Sequence, residues 1–171
     1  SGQPFELFGE PHRVAYLRNA NDPLARLMLE QAQLGAQTTN FVIHPVVIRE
    51  SSELDGAFAQ LALERIDAVI LSGTLPIQSQ LDLAMKHRLP TLQNQTTTAR
   101  AGALISYSAS HAERSRQVAN YVDKILKGEK PADLPVQQPT TLELAVNLKT
   151  AKALGVSIPP SVLLRADRVI E

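Results

Sequence analysis

The chain has 171 residues, enough for one domain with a core of its own, and its 17 Lys and Arg balance 17 Asp and Glu to a formal net charge of zero. That balance, with no run of like charge and with three Tyr, four Phe and no Trp, argues against a nucleic-acid or anionic-membrane binder, which needs a basic face or a stacking platform. The lack of cysteine removes thiol catalysis, disulfides and cysteine metal sites, and no apolar run is long enough to span a bilayer.

In chain order, Arg13 to Leu17 predicts a short strand. Asp22 is a natural N-cap and Pro23 a natural first helical residue. Leu24, Leu27, Met28, Gln31 and Leu34 then repeat at helical spacing, and Gly35 is expected to stop that helix. Phe41 to Ile48 is β-branched and apolar, as a buried strand is, while Pro45 inside it points to an edge or a break. Ser51 or Ser52 is expected to cap a second helix, with Leu54, Phe58, Leu61, Ala62 and Arg65 on one face. Ala68 to Leu71 predicts a strand, Ile77 to His87 a helix, and Pro90 to Leu92 another strand.

Leu104 to Tyr107 predicts a further strand, and Ser110 to Lys127 a helix ended by Gly128, with Val118, Tyr121, Val122, Ile125 and Leu126 on one stripe. Glu129 to Pro139 carries three prolines and reads as an extended crossover. Leu142 to Val146 predicts a strand and Leu148 to Leu154 a short helix stopped by Gly155. Pro159-Pro160 is expected to launch a last helix over Ser161 to Val169. Strand and helix alternate at about thirty residues per unit, the size of βαβ units, so a parallel sheet covered by helices is the expected fold class, α/β.

Motifs for chemistry are missing. No Gly-x-Gly-x-x-Gly run, Walker loop or Gly-x-Ser-x-Gly elbow occurs. His12, His44, His87 and His111 lack metal-ligand spacing. Ser106, Ser108 and Ser110 alternate at one strand end with His111 beside them, but hydrogen bonding at a hinge suits them better than nucleophilic catalysis. No cofactor, metal site or enzymatic activity is therefore expected. What remains is a set of polar residues at strand carboxyl ends, where open α/β sheets bind ligands. They are Asn19 and Asn21, then Ser72, Gly73 and Thr74, then Asn94 and Gln95, then Ser106 and Tyr107. Each alone would serve as a cap or turn residue. Together, on one sheet edge, they would suit a zwitterionic small molecule, with Tyr107 as a wall.

The stretch from Ala103 to Glu171 holds a strand ending Ser106-Tyr107-Ser108, the run YVDKILKGEKPADLPVQQPT and the close NLKTAKALGVSIPPSVLLRADRVIE. It resembles the C-terminal part of one family of ABC-importer periplasmic solute-binding proteins, some of which bind tryptophan or related amino acids. The resemblance covers Arg13 to Glu171 and is strongest from Leu104. It implies one lobe of a type I periplasmic-binding-protein fold, a small amino-acid-like ligand, an ABC permease as partner, and a periplasmic or membrane-anchored extracellular location. It further implies that residues 1–12 are a lead-in, 13–101 the C-terminal-lobe core, 102–139 a segment returning to an N-terminal lobe plus the crossover, and 140–171 the final return. Family members carry a signal peptide and a first lobe, so this sequence is expected to be a fragment beginning at the second lobe, and the four strand ends would form half a site. The apolar stripe of the 110–127 helix would then be bare, and a homodimer exchanging that helix is the expected remedy. The effector-binding domain of a transcription regulator or sensor, and a small flavodoxin-like enzyme, share the architecture and stay open.

Overall fold

A computed structural model describes residues 13–39 and 41–171, so His12 and the lead-in of residues 1–12 lie outside the described residues. Seven strands form one sheet: β1 (Arg13–Asn19), β2 (Val42–Ile48), β3 (Ala68–Ile70), β4 (Thr91–Gln93), β5 (Ile105–Ala109), β6 (Leu142–Asn147) and β7 (Arg168–Ile170). Their order is β2-β1-β3-β4-β5-β6-β7. The first five run parallel, β6 is antiparallel to β5, and β7 is parallel to β6. The expected parallel sheet is therefore a mostly parallel one. The reversal follows from the route after β5. Helix α5 (His111–Leu126) and the extended crossover return the chain to the end of the sheet it left, where Leu142 pairs with Ala109 and the Ser110 N–H donates to Thr141 O at 2.9 Å.

Alternation along the strands sends side chains to two helical layers. On one face, α1 (Ala25–Ala36) covers Val14, Ile43 and Ala68. On the other, α2 (Leu54–Leu63) and α3 (Ile77–Lys86) press Phe58, Leu61, Leu81 and Ala84 onto Ala15, Leu17, Val69 and Leu71. A third cluster joins Leu104, Ile105 and Val146 to Ala151 of α6 (Leu148–Leu154) and Val162 of α7 (Pro160–Leu163). A short α4 (Thr98–Ala101) precedes β5. Pro45 lies on β2, the edge strand, where a missing N–H leaves no ladder bond open.

Several local readings of the sequence change. Helix α1 starts at Ala25, because Asp22 spends its Oδ1 on the Leu24 N–H at 2.9 Å in a turn of its own. Gly35 is an interior residue of α1, which ends beyond it, where the Thr38 and Thr39 hydroxyls donate to Gly35 O at 2.9 and 3.2 Å. The inward face of α1 is Ala25, Leu29, Ala32 and Ala36, while Leu24, Leu27, Met28 and Leu34 point out. Small residues let the helix sit close on the sheet, and the larger stripe at the same spacing is left over. Ser51 and Ser52 form a 3₁₀ turn (Ser51–Glu53) without capping α2; Glu53 instead accepts from the Arg49 N–H at 2.8 Å. The last helix is one turn long, and Arg168 to Ile170 pairs with β6 as a strand, since Asp167 bonds the Leu144 N–H at 2.8 Å and aligns the two strands.

At the start of α5, Ser110 caps the helix by accepting from the Glu113 N–H at 3.4 Å. Glu113 in turn accepts from the Thr140 hydroxyl at 2.8 Å and the Thr141 N–H at 3.0 Å, tying the helix to the end of the crossover. Those bonds hold its carboxyl below the ordinary 4.5, with the Thr140 contact the larger cause. A carboxylate with a depressed folded value supports the fold above its unfolded value and loses that support as pH falls through the folded one. The Thr141 amide is therefore expected to lose hydrogen-exchange protection at acid pH, below 4.5, and Glu113→Gln is expected to remove that dependence. Protection independent of pH in the unmodified chain would refute the tether.

Candidate functional site

β1 is the point where the sheet changes direction. The chain leaves β1 for β2 on one side through α1, then crosses to β3 on the other side through α2. The loops after β1 and β3 therefore part to opposite faces and leave a crevice at the carboxyl ends, the usual ligand position in such sheets. A cleft of about 350 Å³ lies there, lined among others by Tyr16, Arg18, Asp22, Ser72, Gly73, Thr74, Asn94 and Gln95. A second hollow of about 390 Å³ shares Asn94 and Gln95 and runs on to His111 and Arg114.

The two loops of the cleft are laced together. Asn19 Nδ2 donates to Thr74 O at 3.3 Å, and its Oδ1 accepts the Asn21 N–H at 2.9 Å. The Thr74 hydroxyl donates to Asp22 Oδ2 at 3.3 Å and stands 3.2 Å from the Ser72 hydroxyl. Beneath them, fully buried Gln80 of α3 accepts the Ser72 N–H at 3.0 Å and donates to Ser72 O at 2.9 Å, with further contacts to Leu75 O and Pro76 O at 3.3 and 3.4 Å. Gln80 thus makes the bonds a neighbouring strand would have made, and the 72–74 turn is held from below. Gly73 permits the turn to approach the next loop. A Cβ there would stand 3.1 Å from Gln95 Nε2 and 3.4 Å from Gln93 Nε2.

Gln93 at the end of β4 is fully buried, and neither its Oε1 nor its Nε2 has a partner among the described residues. The same holds for the buried Nε of Arg18. Such atoms cost about 1–3 kcal/mol each when left bare; Arg18 lines the cleft, and Gln93 lies behind the lining, against Gly73. Burial, and then the charge of Asp22, push the Tyr16 phenol above its ordinary 10.0, so it stays a hydrogen-bond donor at neutral pH. Among the described residues no group of His, Asp or Glu is placed to hold a metal ion.

Of the sequence-predicted residues, Ser72, Gly73, Thr74, Asn94 and Gln95 line the cleft together. Asn19 and Asn21 brace its rim through the bonds above. Ser106 and Tyr107 do not line it. The Ser106 hydroxyl is buried and donates to Thr96 O at 3.4 Å, while Tyr107 is exposed on β5 opposite Leu144. The hydroxyls of Ser108 and Ser110 are likewise engaged, with Ala109 O and the Glu113 N–H, so none of the three serines stands free beside His111. Tyr16, Gln80 and Gln93 are not singled out from sequence; Arg18 stands at a strand end without a role of its own, and Asp22 is expected only as a helix cap. Gln93 had a signal: it follows Thr91 at strand period, so it faces the same buried side.

The family model described as ABC transporter substrate binding protein matches residues 7–170. Among solved structures, a conserved domain protein from Vibrio cholerae O1 biovar El Tor is similar at 25% identity and a TM-score of 0.83, over 96% of this chain and 58% of that one. An ABC domain in complex with L-Trp from Streptococcus pneumoniae matches at 21% identity and TM-score 0.84, over 96% and 58%. The ligand-free, open structure of a substrate binding protein with adhesive properties from Clostridium difficile matches at 18% and 0.73, over 96% and 56%. The chain thus spans less than two thirds of the length of each, and the last two likenesses speak for the fold alone. No curated protein sequence matches the chain.

Proposed function

This chain belongs to the ABC transporter substrate binding protein family, and from that premise we propose that it forms one wall of the solute site in an ABC importer's binding protein. The ligand is a small amino-acid-like molecule, held without chemical conversion, and the partner is the importer's permease, met from the outer side of the cytoplasmic membrane, where this protein is periplasmic or membrane-anchored. The observation that carries the reading is the switch-point cleft, whose lining includes Arg18 with a buried Nε that has no partner among the described residues. A cleft open along one edge of a sheet suits a ligand closed in from the other side by a second lobe. The L-Trp held by the similar pneumococcal domain supports an amino-acid-like ligand. The engaged hydroxyls of Ser106, Ser108 and Ser110 support binding over catalysis. No helix among the described residues is long and apolar enough to cross a membrane.

The test is a thermal-shift screen of the L-amino acids on a two-lobed protein carrying this sequence. Ligand at a hundredfold excess over Kd is expected to stabilise it by about 2.7 kcal/mol. No shift with any amino acid would refute the ligand class.

α5 carries the second part of the proposal. None of its residues is buried; in its apolar stripe Val118, Val122 and Leu126 are 61%, 50% and 81% exposed, while Tyr121 reaches the crossover, donating to Pro135 O at 2.6 Å. This stripe is covered by the first lobe in a two-lobed protein and by a second copy when the 171-residue chain stands alone, through exchange of the 110–127 helix. Sedimentation equilibrium of the 171-residue chain is expected to give a dimer, and Tyr121→Glu to give a monomer. A monomer at high concentration without the substitution would refute the exchange.

A further inference from the structure

We infer that the cleft takes its ligand by a carboxylate group, anchored on the guanidinium of Arg18; this rests on the solute-binding reading above and specifies the chemistry of that site. Arg18 sits at the carboxyl end of β1, partly buried, and its side chain lines the cleft. Its Nε is buried without a hydrogen-bond partner among the described residues, and Arg18 makes none of the ion pairs found among them. The other charged group lining the cleft is Asp22, and it is already engaged. Its Oδ1 accepts the Leu24 N–H and its Oδ2 the Thr74 hydroxyl. The charged group of the cleft left without a partner among the described residues is therefore the Arg18 guanidinium, a partly desolvated planar fork that matches a carboxylate in both charge and geometry. An exposed arginine would satisfy itself in water; one with a buried, orphaned Nε needs an acceptor to arrive from outside the chain.

The neighbouring floor supports the same class. Gln93, behind the cleft lining against Gly73, is neutral and fully buried, so it brings no charge that would oppose an anion. Tyr16, kept protonated, is a further donor and cannot repel an anion. The cleft lining contains no free carboxylate for a simple amine.

The experiment is calorimetry on a two-lobed protein carrying this sequence, with L-tryptophan, L-phenylalanine, indole-3-acetate and phenylacetate set against the primary amides of the two amino acids, tryptamine and phenethylamine. The acids are expected to bind, and the amides and amines to bind about 10- to 100-fold more weakly, the range for losing a charge-assisted hydrogen bond. Arg18→Gln is expected to bring the acid-to-amide ratio close to one, and Arg18→Lys to restore part of it, since lysine keeps the charge and loses the fork. Amides or amines binding as well as the acids would overturn the carboxylate anchor and leave the solute-binding reading standing, and this comparison needs no variant to fold. An unchanged ratio in a folded Arg18→Gln protein would overturn it as well. Binding of none of the eight compounds, with no shift in the amino-acid screen above, would overturn both readings.

Discussion

Phe58→Ala is expected to lower the unfolding free energy of this chain by about 3–5 kcal/mol, the range for truncating a buried phenylalanine. Phe58 is fully buried at the centre of the cluster that joins α2 and α3 to Ala15, Leu17, Val69 and Leu71. Its ring fills the space between a helix and strands whose positions are fixed by parallel pairing, so the site cannot close over the void. Part of the loss is apolar surface no longer removed from water, and the rest is the cavity. A domain of this size is stable by about 5–15 kcal/mol, so the loss is a large share of the total. Urea unfolding of the unmodified chain and the variant measures it. A shift under 1 kcal/mol would mean that Phe58 is not the keystone of this layer. Because the same strands carry the cleft at their ends, ligand affinity in the variant is expected to fall only as far as folded protein is lost.

Gln80→Leu is expected to have the second largest effect, and to act on the site directly. Leucine nearly matches the volume but offers nothing to Ser72, whose N–H and C=O both end on Gln80. Two buried backbone groups are then unpaired, at about 1–3 kcal/mol each, for a total of about 2–6 kcal/mol. The 72–74 turn also loses its support. Both loops of the cleft depend on that turn through the Thr74 contacts with Asn19 and Asp22. Solute affinity in a two-lobed protein is therefore expected to drop beyond what the lost stability explains, whereas Phe58→Ala moves stability alone. Equal affinity in a folded Gln80→Leu protein would mean that the turn does not serve the ligand.

Much of the architecture was legible because it is local. Apolar runs and helical spacing place six strands and five of the helices near their observed positions, and Pro45 marks the edge strand. The inward face of α2, with Leu54, Phe58 and Leu61, is also readable, since the large apolar residues and the buried ones coincide there. They do not coincide on α1. Two stripes share its spacing, and the choice between Leu24, Leu27, Met28 and Leu34 on one side and Ala25, Leu29, Ala32 and Ala36 on the other depends on the sheet beneath. Periodicity reports a spacing and leaves open which face meets a partner.

The candidate site divides the same way. Polar strand ends at Ser72, Gly73, Thr74, Asn94 and Gln95 can be found by position, because ligands gather at carboxyl ends of parallel strands. By itself the sequence determined the strand–helix alternation, the α/β class, the absence of thiol and motif-based chemistry, and through its C-terminal run the family. The tertiary structure decided that β6 runs antiparallel, that Arg168 to Ile170 is a strand, that Gln80 supports the 72–74 turn, and that the Arg18 Nε and the Gln93 amide are buried without partners among the described residues. Most of those facts rest on pairs distant in the chain, such as Tyr107 with Leu144 or Ala145 with Arg168, and a polar residue's burial depends on all the elements around it, which no local pattern encodes.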